Sequence, residues 1–524
     1  MRPTFLFSFW TLVTAVLLCV MALPGYAATY YVSPDGNDSN PGTEAMPWRD
    51  IAKAASKLHE HDKLYLRGGQ YAVNDVIVFQ KAYVTVEAYG SEEPIIDGKF
   101  NAPLGSVEEA LYKSLIRVLA NNITIDGLTV LNSRGNGISL EHTHHSTAKN
   151  CTVKYANNTT IKLGYPGKEG YNTADACVAM FGNYARDNGD LKQWSNIGQV
   201  IQLKGSYNTV KNCIVAYGPC AGIEGYRDSD SIVENNIVFG NRLTQIHFAR
   251  SKNAIIRHNL IYGTERPGVK ESNGYGVGIE LMCELWYPGS EWDYGHKAYG
   301  NMIANTVLGL SIGWQSGKNT NYSENKIKDI SVYNNTVIEP SDVLQKNHLC
   351  HALSITDHGH LGAGNIVQNN IFWQTNGTPA FGSGNSSKVK MGYNLWNKEP
   401  PSSFQCSTDP TYSTSYPILD MAAYFPKTSG WNTLTENSLT GKEFNLLSTA
   451  EYAIGKGTNT PVASADEKML NLANHAIPEN NYTFALAAQS KYSSWEVGAA
   501  VFVPEEDAGQ EDTDIAAPVL QVIK

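Results

Sequence analysis

The chain has 524 residues, a net charge of −10 at neutral pH, 42% hydrophobic residues and 17% charged ones. That composition is ample for one large core, and its acidic balance argues against nucleic acid as a partner. Past the N-terminus no stretch is apolar enough to span a bilayer.

The first element is not part of the fold. Arg2, the apolar run from Phe5 to Leu23 and the small-residue end Gly25-Tyr26-Ala27 read as a secretory signal over residues 1–27. The expected location is therefore secreted or periplasmic, with no membrane span after cleavage. Of eight cysteines, Cys19 would leave with the signal. The remaining number is odd, so at least one thiol is unpaired. Tyr30-Tyr31-Val32 reads as a first strand. Trp48, Ile51, Ala54, Ala55 and Leu58 follow helical spacing, and Lys63–Leu66 returns to strand before Gly68-Gly69.

A fixed period dominates the middle of the chain. Lys204, Arg227 and Arg250 fall 23 residues apart, and so do Lys211-Asn212-Cys213-Ile214-Val215, Glu234-Asn235-Asn236-Ile237-Val238 and Arg257-His258-Asn259-Leu260-Ile261. Asp126-Gly127-Leu128-Thr129-Val130, Asn150-Cys151, Asn305, Asn334-Asn335, Asn369-Asn370 and Asn394 extend the pattern in both directions. A constant period over successive units is the mark of a solenoid. Asn accepts left-handed turn geometry and can bond the next coil, while the Ile and Val after it suit strands. The expected fold is all-β: a single right-handed parallel β-helix over residues 28–400, with an N-terminal helix capping its open end. Irregular closing coils would occupy 401–503 and a disordered acidic tail 504–524, where Glu505 to Asp514 hold six acids. Cys151 and Cys213 share the repeat position of Asn236 and Asn259, which makes them small core residues. Interruptions of the period at 155–199, 264–274 and 286–297 read as inserted loops, the last bearing Trp286, Tyr287, Trp292 and Tyr294.

The same alignment gathers candidate chemistry. The period puts Ile201, Glu224 and His247 in one column and Lys204, Arg227 and Arg250 in another, with Leu203, Tyr226 and Ala249 between. Both columns can face outward only if a turn or bulge falls near Gly225, which the glycines Gly205 and Gly225 permit. Stacked cations suit an anionic polymer. A uronate polymer can be cut by β-elimination when a cation neutralises its carboxylate, a base removes the C5 proton and an acid assists the departing oxygen. Lys204, Arg227, His247 and Arg250 are the candidate catalytic residues. Tyr226, Glu224, Trp292 and Tyr294 are the candidate substrate contacts.

Two resemblances follow. Tyr30 to Tyr71, with Ser33-Pro34-Asp35-Gly36 and Leu66-Arg67-Gly68-Gly69, resembles the N-terminal cap of secreted right-handed β-helix enzymes. Val200-Ile201-Gln202-Leu203-Lys204-Gly205-Ser206-Tyr207-Asn208, then Asn212 and Arg227, resembles the core of the chondroitinase B and alginate lyase family. That resemblance implies a right-handed β-helix with a Lys base at Lys204 and an Arg one coil on at Arg227. Ile197 and Gln199 stand where the family has acidic calcium ligands, so calcium stays open, and Arg227-Asp228-Ser229 replaces an Arg-His-Gly run. The pectate lyase family built on an Asp cluster plus Lys fits less well, its paired-Asp motif being absent.

The expectation is a monomeric polysaccharide lyase on a uronate-containing glycan of the alginate, pectate or glycosaminoglycan type. Two alternatives stand beside it. One is a β-helix glycoside hydrolase using Glu224 with Asp228, or Glu280 with Glu284. The other is a non-catalytic glycan-binding surface protein. His142, His144 and His145 read as surface residues of a turn rather than a metal cluster.

Overall fold

The computed structural model describes residues 27–103, 113–184, 198–264, 276–284, 293–316, 327–339, 351–356, 361–374, 380–383 and 388–398, with short pieces between 400 and 488. Each turn of the chain lays down three short strands, as in Thr209–Lys211, Ile214–Ala216 and Ala221–Ser229. Strands of successive turns pair in parallel and build three long sheets of 14, 12 and 11 strands. We call these the first, second and third walls, in the order the chain visits them. Every return to a wall is a parallel crossover, and the spiral is right-handed. The first wall runs from Thr29–Val32 to Ser407–Thr408.

The interior follows from short apolar triplets. On the third wall, Ile and Leu on either side of one outward residue point in: Ile138 and Leu140, Ile161 and Leu163, and Ile201 and Leu203 are all fully buried. On the first wall Val210, Val233 and Ile256 stack in register, and on the second Val215, Val238 and Ile261 do the same. Identical strand spacing, near 4.8 Å, keeps these columns in van der Waals contact from coil to coil.

Between the first and second walls the chain turns sharply. Asn212, Asn235, Asn334 and Asn369 take that corner with φ between 53° and 57°, where an Asn side chain tolerates the left-handed backbone. The next residue enters the core as a polar ladder. The Asn236 backbone N–H and side-chain Nδ2 both donate to Asn259 Oδ1, each at 3.0 Å. Asn259 repeats this with Asn301, Asn301 with Asn335, Asn335 with Asn370, and Asn370 with Asn394. Buried amides in such a chain are tolerable because each is satisfied by its neighbours. Cys151, Cys177 and Cys213 are buried free thiols, as the repeat alignment predicted for Cys151 and Cys213. Cys213 joins the ladder through its backbone N–H, which donates to Asn236 Oδ1 at 2.9 Å.

The N-terminal end is closed as the sequence suggested. Helix Ile51–Lys57 starts at Asp50, whose carboxylate accepts the Lys53 N–H at 3.0 Å, and buries Ile51, Ala54 and Ala55. Farther along the spiral Thr264 Oγ1 donates to the Leu434 carbonyl at 2.6 Å, and Phe444 is fully buried. The signal segment, most of 401–503 and the acidic tail lie outside the described residues. Among the described residues no helix is long and apolar enough to cross a membrane.

Candidate functional site

The third wall carries the site. Its outward residues form one unbroken column: Arg117, Ser139, Lys162, Gln202, Glu224, His247, Glu280, Ser311 and Ser354 lie each opposite the next. Each is flanked by inward apolar residues, so alternation alone points it away from the core.

This register corrects one expectation. The 23-residue period put Ile201 beside Glu224, but Ile201 pairs with Ile223 and is buried, and Gln202 is the residue opposite Glu224. The cause is a bulge. The pairing shifts between Leu203 and Gly205, so that Gly205 faces Asp228. Leu203 faces Gly225, so Lys204 alone stands opposite two residues, Tyr226 and Arg227. Gly205 makes this turn with φ +87°, and a Cβ there would run into the carbonyls of Tyr165 and Lys168. The required bulge is therefore present, with its extra residue on the Ala221–Ser229 strand just after Gly225.

The three spaced cations consequently do not form one uniform ladder. Lys204 is half-buried, Arg227 is exposed, and Arg250 is 5% exposed. Arg227 and Arg250 both sit at φ 54°, one coil apart. Tyr226 lies between them. The Arg250 Nη1–H donates to the Tyr226 hydroxyl at 3.0 Å, and the guanidinium carbons of Arg250 and Arg227 lie 5.6 and 5.9 Å from its ring centre. Arg250 is fixed from behind by Asp293, whose carboxylate accepts the Arg250 and Ser251 backbone N–H groups at 2.9 and 3.0 Å. Among the described residues, no carboxylate lies within ion-pairing distance of Lys204, Arg227 or Arg250. Burial, together with the charge of Lys162 on the preceding coil, lowers the Lys204 pKa below the ordinary lysine value, with Arg227 acting in the same sense.

Glu224 and His247 sit in the wall just beyond, 7% and 6% exposed. Glu224 accepts hydrogen bonds from Gln199 Nε2 at 3.0 Å and Gln202 Nε2 at 2.6 Å, and its Oε1 lies 3.6 Å from His247 Nδ1. Glu280 follows His247 in the column, and burial raises its pKa while His247 opposes the rise. Gln199, Gln202, Lys162 and Arg117 were not anticipated as site residues. The signal was available: the triplets Ile116-Arg117-Val118, Ile161-Lys162-Leu163, Ile201-Gln202-Leu203 and Ile223-Glu224-Gly225 present one polar residue between apolar neighbours.

The remaining candidates scatter. Tyr294 ends a short strand in line with Lys252 and Ser229, with the Lys328 ammonium 5.6 Å from its ring centre, and so lies away from Lys204. Trp292 and the Glu284 side chain lie outside what the structure describes. Asp228 does not pair with Glu224 on an open face. It is 2% exposed, accepts from Ser231 Oγ at 2.9 Å, and burial holds its carboxyl well above the usual range. His142, His144 and His145 are exposed, as expected, and no group of three or more metal-ligating side chains occurs among the described residues.

Comparison with known proteins bears on the fold. Residues 30–242 match the family model described as Pel9A-like, right handed beta helix region. Pectate lyase L of Paenibacillus polymyxa (strain SC2) is 26% identical over 215 residues, covering 39% of this chain and 46% of that protein. Pectate lyase PEL9 of Emericella nidulans is 38% identical over 78 residues, covering 14% of this chain and 19% of that protein. The chain thus spans less than half the length of these curated relatives. The crystal structure of pectate lyase Pel9A aligns over 92% of this chain and 98% of its own, at 16% identity and a TM-score of 0.49. These relatives are pectate lyases, the group the sequence reading ranked behind the chondroitinase B and alginate lyase resemblance.

Proposed function

We propose that this protein is a polysaccharide lyase that cleaves a uronate-containing glycan by β-elimination on the third wall. One observation carries the reading: Lys204 is a half-buried amine held below the ordinary lysine pKa, with no ion-pair partner among the described residues. Burying an unpaired amine is costly unless it is used neutral, and neutral is the form a proton-abstracting base requires. Exposed Arg227 stands one coil away and is free to meet the substrate carboxylate.

The chemistry then follows from charge. A uronate C5 proton is weakly acidic while the adjacent carboxylate is ionised. Arg227 would pair with that carboxylate and stabilise the negative charge that develops as the proton leaves. The Lys204 amine would accept the proton. Arg250 would add a second positive charge beside the same locus, and the Glu224–His247 pair would lie next to it on the wall. Similarity to two pectate lyases over part of the chain supports the same class of substrate.

The test is a panel of alginate, pectate and glycosaminoglycans incubated with the purified protein. The reading predicts ultraviolet-absorbing unsaturated ends on at least one of them. Reducing ends without ultraviolet absorbance would instead indicate a hydrolase, and binding without either product a carbohydrate-binding protein.

A further inference from the structure

Elimination leaves one requirement unmet: the departing sugar oxygen needs a proton. His247 is a poor position for the donor. It stands in register two coils beyond Gln202, about 10 Å along the axis from the level of Lys204. The bulge puts a different group next to the base. Because the register shifts between Leu203 and Gly205, Tyr226 stands opposite Lys204 together with Arg227 on the adjacent strand, about 4.8 Å away. A perfect 23-residue repeat would have put Arg227 alone there.

We propose that Tyr226 is the proton donor to the leaving oxygen, with Arg250 as the residue that positions it; this rests on the lyase reading above. The Arg250 Nη1–H donates to the tyrosine oxygen at 3.0 Å. That bond occupies an acceptor site of the hydroxyl and leaves its own proton to point elsewhere. The guanidinium carbons of Arg250 and Arg227 lie 5.6 and 5.9 Å from the ring centre, cation–π contacts that hold the ring where it is. The half-buried ring, packed between two cations one coil apart, has little freedom to leave this place. The step balances without any co-reactant. The C5–H electrons become the C4–C5 double bond, the C4–O4 pair goes to oxygen, Lys204 gains the C5 proton, and O4 takes the Tyr226 proton. The two residues are reset by passing one proton from ammonium to phenolate through solvent.

Tyr226→Phe tests this, because it keeps the ring and removes only the hydroxyl. Two substrates are compared: a uronate oligosaccharide, whose alkoxide leaving group needs a proton, and the same uronate carrying fluoride at C4, which leaves without one. The expected result is a kcat about 10²-fold lower on the oligosaccharide with KM little changed, and a near wild-type rate on the fluoride. A loss that is equal on both substrates, or no loss at all, overturns the assignment. Lys204→Ala should lose both substrates alike, so an inactive Lys204→Ala beside a fully active Tyr226→Phe sinks the tyrosine and spares the lyase reading. A wild-type protein that forms no unsaturated product from any uronate polymer sinks both.

Discussion

The two halves of the outward column on the third wall differ in charge and in access. Upstream of Lys204 lie Arg117, Ser139, Lys162 and Gln202, with both cations only half-buried. Downstream lie Glu224, His247, Glu280, Ser311 and Ser354, carrying two carboxylates, with all but Glu280 buried. Lys162 is partly spent on Glu141, at 2.7 Å, so Arg117 is the upstream cation with no ion pair among the described residues. The contrast teaches polarity. A chain of uronates laid along the axis meets one coil roughly every 4.8 Å, finds favourable charge on one side of Lys204 and unfavourable charge on the other.

Breaking the boundary itself should have the largest effect. Arg227→Ala removes the exposed partner for the substrate carboxylate, and kcat/KM on the best uronate polymer should fall by about 10²-fold or more. A rate within threefold of wild type would show that the carboxylate binds elsewhere. Next comes the electrostatic setting of the base. The rate should rise with pH as Lys204 loses its proton, on a limb lying below the ordinary lysine value. Lys162→Met removes a positive neighbour and frees Glu141. Both changes favour the charged amine, raise its pKa, and must move that limb to higher pH. A limb that stays put, or moves down, means the titrating group is not Lys204.

Substrate affinity should then report each half separately. Arg117→Gln should raise KM by a factor of about 5 for polymers and long oligomers, and leave short oligomers unaffected, as for one partly solvated charge pair. Glu280→Gln should have the opposite sign, lowering KM about 2-fold by removing downstream negative charge. Equal effects of chain length on both variants would erase the polarity. The smallest effect belongs to the interior. Cys213→Asn should extend the amide ladder from Asn236 and shift Tm by a few degrees at most, whereas Asn301→Leu orphans Asn259 groups and should cost at least about 2 kcal/mol in denaturant unfolding.

Much of this was readable beforehand, and the limits have a physical cause. The 23-residue repeat marks the spiral because successive coils lay down the same three strands around the same left-handed corner, which is Asn in several of them, so Asn235-Asn236 and Asn334-Asn335 identify their own positions. The cap helix was equally plain from Ile51, Ala54 and Ala55. What a period cannot convey is a departure from it. One bulged residue is invisible in the spacing of Lys204 and Arg227, yet it moves Ile201 out of the polar column, brings Gln202 in, and places Tyr226 beside Arg227 opposite the base. Burial of Arg250 against Tyr226 and Asp293 was hidden as well, since Asp293 lies 43 residues further along the chain. Trp292, by contrast, was chosen for its residue type alone.

The most direct test of Lys204 as the base is chemical rescue. The account predicts that Lys204→Ala folds with an unchanged unfolding transition, forms no unsaturated product, and regains ultraviolet-detected cleavage when small primary amines are added, more so the more basic the amine. A folded Lys204→Ala protein that keeps the wild-type rate, or one that every amine restores equally whatever its basicity, would contradict it.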